Sequence, residues 1–139
     1  MKKVVLLSCV SKKKDYETIA ENLYDSSLFK YSLKYARFLK PDKIYILSAL
    51  YGLIETTDKI APYNKTLNSM KKNEKIEWSN MVLKQMKDKG LDLKNDHFII
   101  LAGNNYRKYL LEHFSNYEIP LEGMRIGEQL SFLKGSIAR

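Results

Sequence analysis

One cysteine, two histidines and four arginines stand in a chain of 139 residues. A lone Cys9 cannot form an internal disulfide, which accords with a reducing compartment. Cys9, His97 and His113 are too few and too scattered for a zinc ligand set, so no metal is expected. Neither phosphate-loop spacing occurs: the glycine-bearing stretches GMRIG and GNNY fit neither G-x-x-x-x-G-K-[ST] nor G-x-G-x-x-G. That argues against an ordinary NTPase and against a dinucleotide-binding oxidoreductase, and no cofactor is indicated. Long apolar runs are also missing; none approaches the roughly 20 residues that cross a bilayer. The opening MKKVVLLSC has too short an apolar part for a signal peptide. A cytoplasmic protein without membrane association is the expectation.

What is abundant is lysine. The formal net charge is +8 and the sequence pI about 9.4, on a background of 45% hydrophobic and 29% charged residues. The length suits a single domain over residues 1–139. A basic balance points to nucleic acid, phosphorylated ligands or anionic surfaces. The plainer reading is a set of lysines on solvated faces. With so few arginines to supply the planar fork that reads base edges, sequence-specific major-groove recognition is not expected.

Along the chain, short apolar runs alternate with helical periods. KVVLLSC (3–9), KIYILSA (43–49) and HFIILAG (97–103) read as buried strands, with a short fourth at YEI (117–119). Residues 10–22 read as a loop with one helical turn. A helix is expected after Asp25, Ser26 or Ser27, presenting Leu28, Tyr31, Tyr35, Phe38 and Leu39 on one face and stopping at Pro41. A second is expected over 70–89 with Trp78, Met81, Val82 and Met86 inward, ended by Gly90. A third is expected over NNYRKYLLEHF, with Tyr106, Tyr109, Leu110 and Phe114 inward, and a fourth over about 126–134. Residues 50–68 show no period and read as a long loop, a length that is usually functional. The pattern predicts an α/β fold: one three-layer domain with a mainly parallel sheet of about four strands flanked by helices.

In such sheets ligands bind beyond the carboxyl ends of the strands. Those ends are small and polar here: Ser8, Cys9, Ser11, then Lys12, Lys13 and Lys14; Ser48, Tyr51 and Gly52; Gly103, Asn104 and Asn105. Backbone amides in such stretches can approach a ligand closely. The same residues also serve turns for backbone reasons alone. Cys9 is a candidate nucleophile, since nearby ammonium groups favour a thiolate; free cysteine also occurs as a small buried hydrophobe. Lys12 and Lys13 are candidate phosphate anchors or amines. Glu55, Asp58, Glu122 and Glu128 are candidate proton-transfer carboxylates, with Glu122 favoured by its Gly-punctuated turn. Tyr24, Tyr51, Tyr63 and Tyr106, at element edges, could stack on a base.

Taken together, SCVSKKK, LYDSSLF, YILSALYGLI, IAPYNKTL, LAGNNYRKYL and PLEGMRIGEQLSFL resemble, in the same order, a family of small bacterial and phage proteins. That family is a domain of unknown function, loosely labelled YaaA-like. The first two blocks are also distantly similar to the Cys-Lys and Ser-containing motif in the middle domain of archaeosine synthase, a tRNA 7-deazaguanine-modifying protein. That motif has a His three residues after its Ser; Phe29 stands there in this chain. Tyr51 stands before Gly52 where the small family often has His. The matching positions are Ser8, Cys9, Lys12, Lys13, Tyr24, Ser26, Ser48, Tyr51, Gly52, Pro62, Tyr63, Gly103, Tyr106, Gly123, Gly127 and Gln129. The resemblance implies an α/β fold and a link to nucleobase or nucleic-acid metabolism, and supplies no reaction.

The functional expectation is an enzyme acting on a nucleotide, a nucleoside or a base in nucleic acid, most concretely at an N-glycosidic bond. Cys9, Lys12 and Glu122 are the expected catalytic residues. Ser8, Ser11, Lys13, Tyr24, Ser26, Ser48, Tyr51, Gly52, Tyr63, Gly103, Asn104, Tyr106, Gly127 and Gln129 are the expected ligand-binding residues. The alternative is a non-catalytic nucleic-acid-binding or regulatory module, using a basic face such as Lys71, Lys72, Lys75 and Lys84.

Overall fold

A computed structural model describes residues 1–138. Its centre is β1 (Lys3–Ser8), whose Val4, Val5, Leu6 and Leu7 are all fully buried. A strand buried on both faces needs covering layers above and below, and the continuous apolar run had announced that. β2 (Thr18–Ile19) and α1 (Ala20–Leu23) follow, then α2 (Ser27–Phe38). The Ser26 hydroxyl caps α2 by accepting from the Phe29 amide at 3.1 Å. β3 (Lys43–Ser48) lies parallel to β1.

Residues 50–68 are not the irregular loop expected. The chain turns at Gly52 and runs straight back as β4 (Gly52–Glu55), antiparallel to β3. β5 (Lys59–Ile60) then pairs with β2, and a tight turn occupies Leu67–Ser69. Leu53 and Ile54 are both buried, so no alternation of polar and apolar residues marks so short a strand. Gly52 has φ +76°, a conformation that glycine adopts readily. The sheet is completed by α3 (Lys72–Asp88), β6 (His97–Leu101), α4 (Asn104–Arg107), β7 (Tyr117–Glu118) and α5 (Ile126–Ile137). The helix expected over 104–114 stops after four residues. Beyond it the backbone tightens into i→i+3 bonds, Leu110 to Arg107 and His113 to Leu110, which turn the chain toward β7. Tyr106, Leu110 and Phe114 are buried as expected, with Tyr109 only half-buried.

The five-stranded sheet has the order β4-β3-β1-β6-β7, with β4 alone antiparallel. It has one strand more than expected, and the fold is the α/β arrangement of sheet and flanking helices. The chain leaves β1 for β3 on one side and later returns to β6 on the other. Right-handed crossovers in opposite directions put α2 and α3 on opposite faces. α5 packs on α2, and α3 lies along β4. The amino ends of β1 and β6 are closed by carboxylates: Asp42 accepts from the Lys3 amide at 2.7 Å and buried Asp96 from the Lys2 amide at 2.8 Å. Their carboxyl ends lie open. No helix among the described residues is long and apolar enough to cross a membrane.

Candidate active site at the ends of β1 and β6

Because strand order reverses about β1, the loops leaving β1 and β6 depart to opposite faces and leave a crevice between them. That crevice is a cavity of about 520 Å³, inside the size range of small-molecule sites, roughly 300–1,000 Å³. Ser8, Cys9 and Ser11 enter from the end of β1, and Ala102, Gly103, Asn104 and Asn105 from the end of β6. Leu28, Phe29 and Ser32 form the wall from α2. Ile126 and Gln129 come from α5, and Lys65, Thr66 and Asn68 from the segment before α3.

Cys9 is buried, and its thiol donates to the Tyr106 hydroxyl at 3.4 Å. That hydroxyl also accepts from the Leu67 amide at 3.4 Å, so Tyr106 ties β1, α4 and the 65–68 segment together beneath the cavity. Burial, with the charge of Cys9 beside it, pushes Tyr106 up to about 12. Lys13 reaches the cavity with its ammonium 4.5 Å from the Tyr63 ring centroid. Partial burial draws Lys13 below the usual lysine range, an effect that Cys9 partly offsets. Arg107 is the third cation. Its side chain is 15% exposed, one Nη donates to the Ala102 carbonyl at 2.8 Å, and the other lies 3.8 Å from Glu122.

Four polar side chains lining this cavity have no hydrogen-bond partner among the described residues: the hydroxyls of Ser11 and Ser32, the Asn104 amide and the Lys65 ammonium. Ser11, Lys65 and Asn104 are exposed and open to water, and Ser32 is buried. Polar groups free of protein partners around a cavity can meet a polar ligand in place of water.

The structure therefore brings together eight of the residues expected from sequence: Ser8, Cys9, Ser11, Lys13, Gly103, Asn104, Tyr106 and Gln129. The others lie elsewhere. Lys12 is exposed and does not line the cavity, and Glu122 is an exposed partner of Arg107 at its edge. Ser26 is a helix cap, and Gly127 lies exposed in the first turn of α5.

Tyr24, Tyr63 and Ser48 make a hydrogen-bonded chain of their own. Tyr24 and Tyr63 hydroxyls are 2.7 Å apart, and the Ser48 hydroxyl donates to Tyr63 at 2.8 Å. Burial raises both tyrosines, Tyr24 to about 12. Tyr51 packs edge-on against Tyr63, and its amide donates to the Ser48 hydroxyl at 3.0 Å.

Sequence reasoning missed Arg107, Lys65 and Ser32. Arg107 had a signal: it falls three residues after Asn104 in the first turn beyond a strand end. Lys65 and Ser32 had none, since only the packing of their segments turns them inward.

The profile of a family of unknown function, DUF6884, matches residues 4–135. The chain belongs to DUF6884. The match takes in every strand of the DUF6884 sheet except the first residue of β1, and every residue that lines the cavity. No curated protein and no solved structure matches the chain.

Proposed function

We propose that this DUF6884 chain is a cytoplasmic nucleotide- or nucleic-acid-related enzyme whose substrate enters the cavity at the ends of β1 and β6. Exchange or release of a base at an N-glycosidic bond is its most concrete form. The observation that carries the reading is the set of open polar side chains around a cavity of nucleoside size, with three cations in its lining. Arg107 and Lys65 would hold a phosphate, the arginine by its planar fork. Phe29, Leu28 and Ile126 offer an apolar wall for a base, and Ser32, Asn104 and Gln129 offer polar groups for its edge. Cys9 and Lys13 are our candidates among the cavity-lining groups for nucleophile or base. Lys13 is the better amine of the adjacent pair, because desolvation favours its neutral form. The distant similarity of SCVSKKK and LYDSSLF to the archaeosine synthase motif supports a nucleobase substrate.

A second reading is a non-catalytic binding module. It is favoured by one observation: among the described residues no Asp or Glu lines the cavity, so the carboxylate common in glycosidic chemistry is missing from its walls. Thermal unfolding against nucleosides, nucleotides and free bases separates the two, because a ligand of the native state raises stability by mass action. The enzyme reading expects stabilisation by a nucleotide, lost in Arg107→Ala, together with base release abolished in Cys9→Ser or Lys13→Ala. Stabilisation without any turnover of nucleotide or oligonucleotide would leave the binding module.

A further inference from the structure

α2 has a second wall. Leu28, Phe29 and Ser32 face the cavity, while Lys30, Leu33, Lys34 and Arg37 line a separate groove of about 410 Å³ on the helix's other flank. The ribbon beside it divides the same way. Residues 12–14 pair with 23–25 through the Lys13–Tyr24 bridge. Successive side chains of an extended segment point to opposite sides. Lys13 accordingly lines the cavity and Lys14 the groove.

The groove's lining is net positive: Lys14, Lys30, Lys34 and Arg37 stand against Glu21. α2 contains Lys30, Lys34 and Arg37 and no acid. Spacings of i, i+4 and i, i+3 bring these like charges onto adjacent turns, which destabilises an isolated helix. Lys34 and, from α5, Lys134 each place an ammonium 5.1 Å from the centroid of the same Tyr31 ring. Asp25 pairs with Lys14 and Lys30, and Glu21 with Arg37; Lys34 and Lys134 have no ion pair among the described residues. α3, by contrast, intersperses its lysines with Glu74, Glu77 and Asp88. The basic face expected on α3 is thus interrupted by acids in sequence, whereas on α2 the acids come from neighbouring segments and leave Lys34 unpaired among the described residues.

We infer that this groove binds the sugar-phosphate backbone of single-stranded nucleic acid. A polyanion would neutralise Lys34 and Lys134, the two ammonium groups here without an ion pair among the described residues. Single strands are held by a positively charged groove with aromatic faces on which bases stack. Tyr16 lines this groove at 55% exposure, and Tyr31 lies beside it under two ammonium groups. The concave shape and the rings favour a strand over a membrane surface, which calls for a protruding apolar face to insert. The inference rests on the proposed function only in taking the cavity's substrate to be a residue of the same polymer; the groove's own binding stands without it.

The test is fluorescence anisotropy of a labelled mixed-sequence single strand of about 15 nucleotides, within the range of single-strand site sizes, with the full chain. Salt is varied between about 50 and 200 mM. Wild type should bind with an affinity that falls steeply with salt. Lys34→Glu/Lys134→Glu should weaken binding at least about tenfold and reduce the salt slope by about 1.4, roughly 0.7 for each phosphate no longer neutralised. Lys34→Arg/Lys134→Arg should bind as wild type, and Lys72→Glu/Lys84→Glu on α3 should stay within about twofold. Circular dichroism checks that each variant is folded.

Equal losses from the Lys34/Lys134 and Lys72/Lys84 pairs would overturn the inference in favour of diffuse charge. So would preferential binding to vesicles containing phosphatidylserine. Thermal stabilisation by free nucleotide should be unchanged in Lys34→Glu/Lys134→Glu. Its absence in wild type would sink the cavity reading and leave the groove's result intact.

Discussion

At the end of β3, the Ser48 carbonyl accepts from the Trp78 indole at 3.0 Å and its hydroxyl joins Tyr63 and Tyr51. At the ends of β1 and β6, Ser11 and Asn104 have hydroxyl and amide groups with no partner among the described residues. The residue types are alike, and both regions stand at carboxyl ends of neighbouring strands. What separates them is topology. β4 folds straight back on β3, and α3 brings Trp78 and Gln85 over the turn, where Gln85 accepts from the Leu53 amide and donates to the Tyr51 carbonyl. The end of β3 is thereby filled. β1 and β6 send their chains to opposite faces, so nothing fills the space between them. A small polar residue at a strand end signals a site only where the connections diverge.

The contrast can be broken by substitution. Trp78→Ala removes the plug at β3, including its edge-on packing against Tyr106 at 5.6 Å, and should cost about 3–5 kcal/mol in urea unfolding. Gly52→Ala should cost about 2 kcal/mol, since φ is +76° and an added Cβ would collide with the Gln85 and Met81 side chains.

The tyrosine chain next to that plug gives a pH signature. Tyr24 is raised from 10.0 to about 12 by burial, so the folded state keeps a proton that the unfolded state releases. Its contribution is complete below about pH 10 and is lost as pH rises toward about 12, on the order of 2 kcal/mol. Tyr24→Phe should flatten the decline of stability over that window.

At the open end the expectation reverses. Asn104→Ala should change stability by no more than about 0.5 kcal/mol while weakening any nucleotide-dependent thermal shift. A comparable stability loss there would mean that both ends are structural.

A change in the opposite direction is expected in α3, where the buried Ser79 hydroxyl has no partner among the described residues. Ser79→Ala should be neutral or stabilising by up to about 1 kcal/mol.

The central strands were legible because they are buried on both faces, which leaves an unbroken apolar run in KVVLL and FIIL. The start of α2 was legible to within Asp25, Ser26 and Ser27; that Ser26 is the cap, and not a ligand-binding residue, shows only in its bond to the Phe29 amide. β4 was not legible: four residues with Leu53 and Ile54 both inward carry no period, and only pairing with β3 makes them a strand. The site was half legible for the same reason. Cys9, Lys13 and Asn104 announce themselves by following a strand. Ser32 and Lys65 reach the cavity only through how α2 and the 65–68 segment pack, and Ser48 and Tyr51 look like site residues until Trp78 is seen above them.

Placing the first strand at the centre of the sheet has a consequence during synthesis. β1 pairs Lys3 with His97, so its second neighbour is made more than ninety residues later. At ribosomal rates of about 5–20 residues per second, that is a wait of roughly 5–20 s. Through that interval one edge of VVLL has no native partner, even after β3 has docked on the other. The nascent chain thus passes through a stage with its most apolar strand open to wrong pairings, and the speed of translation through 49–97 bears directly on the yield of folded protein.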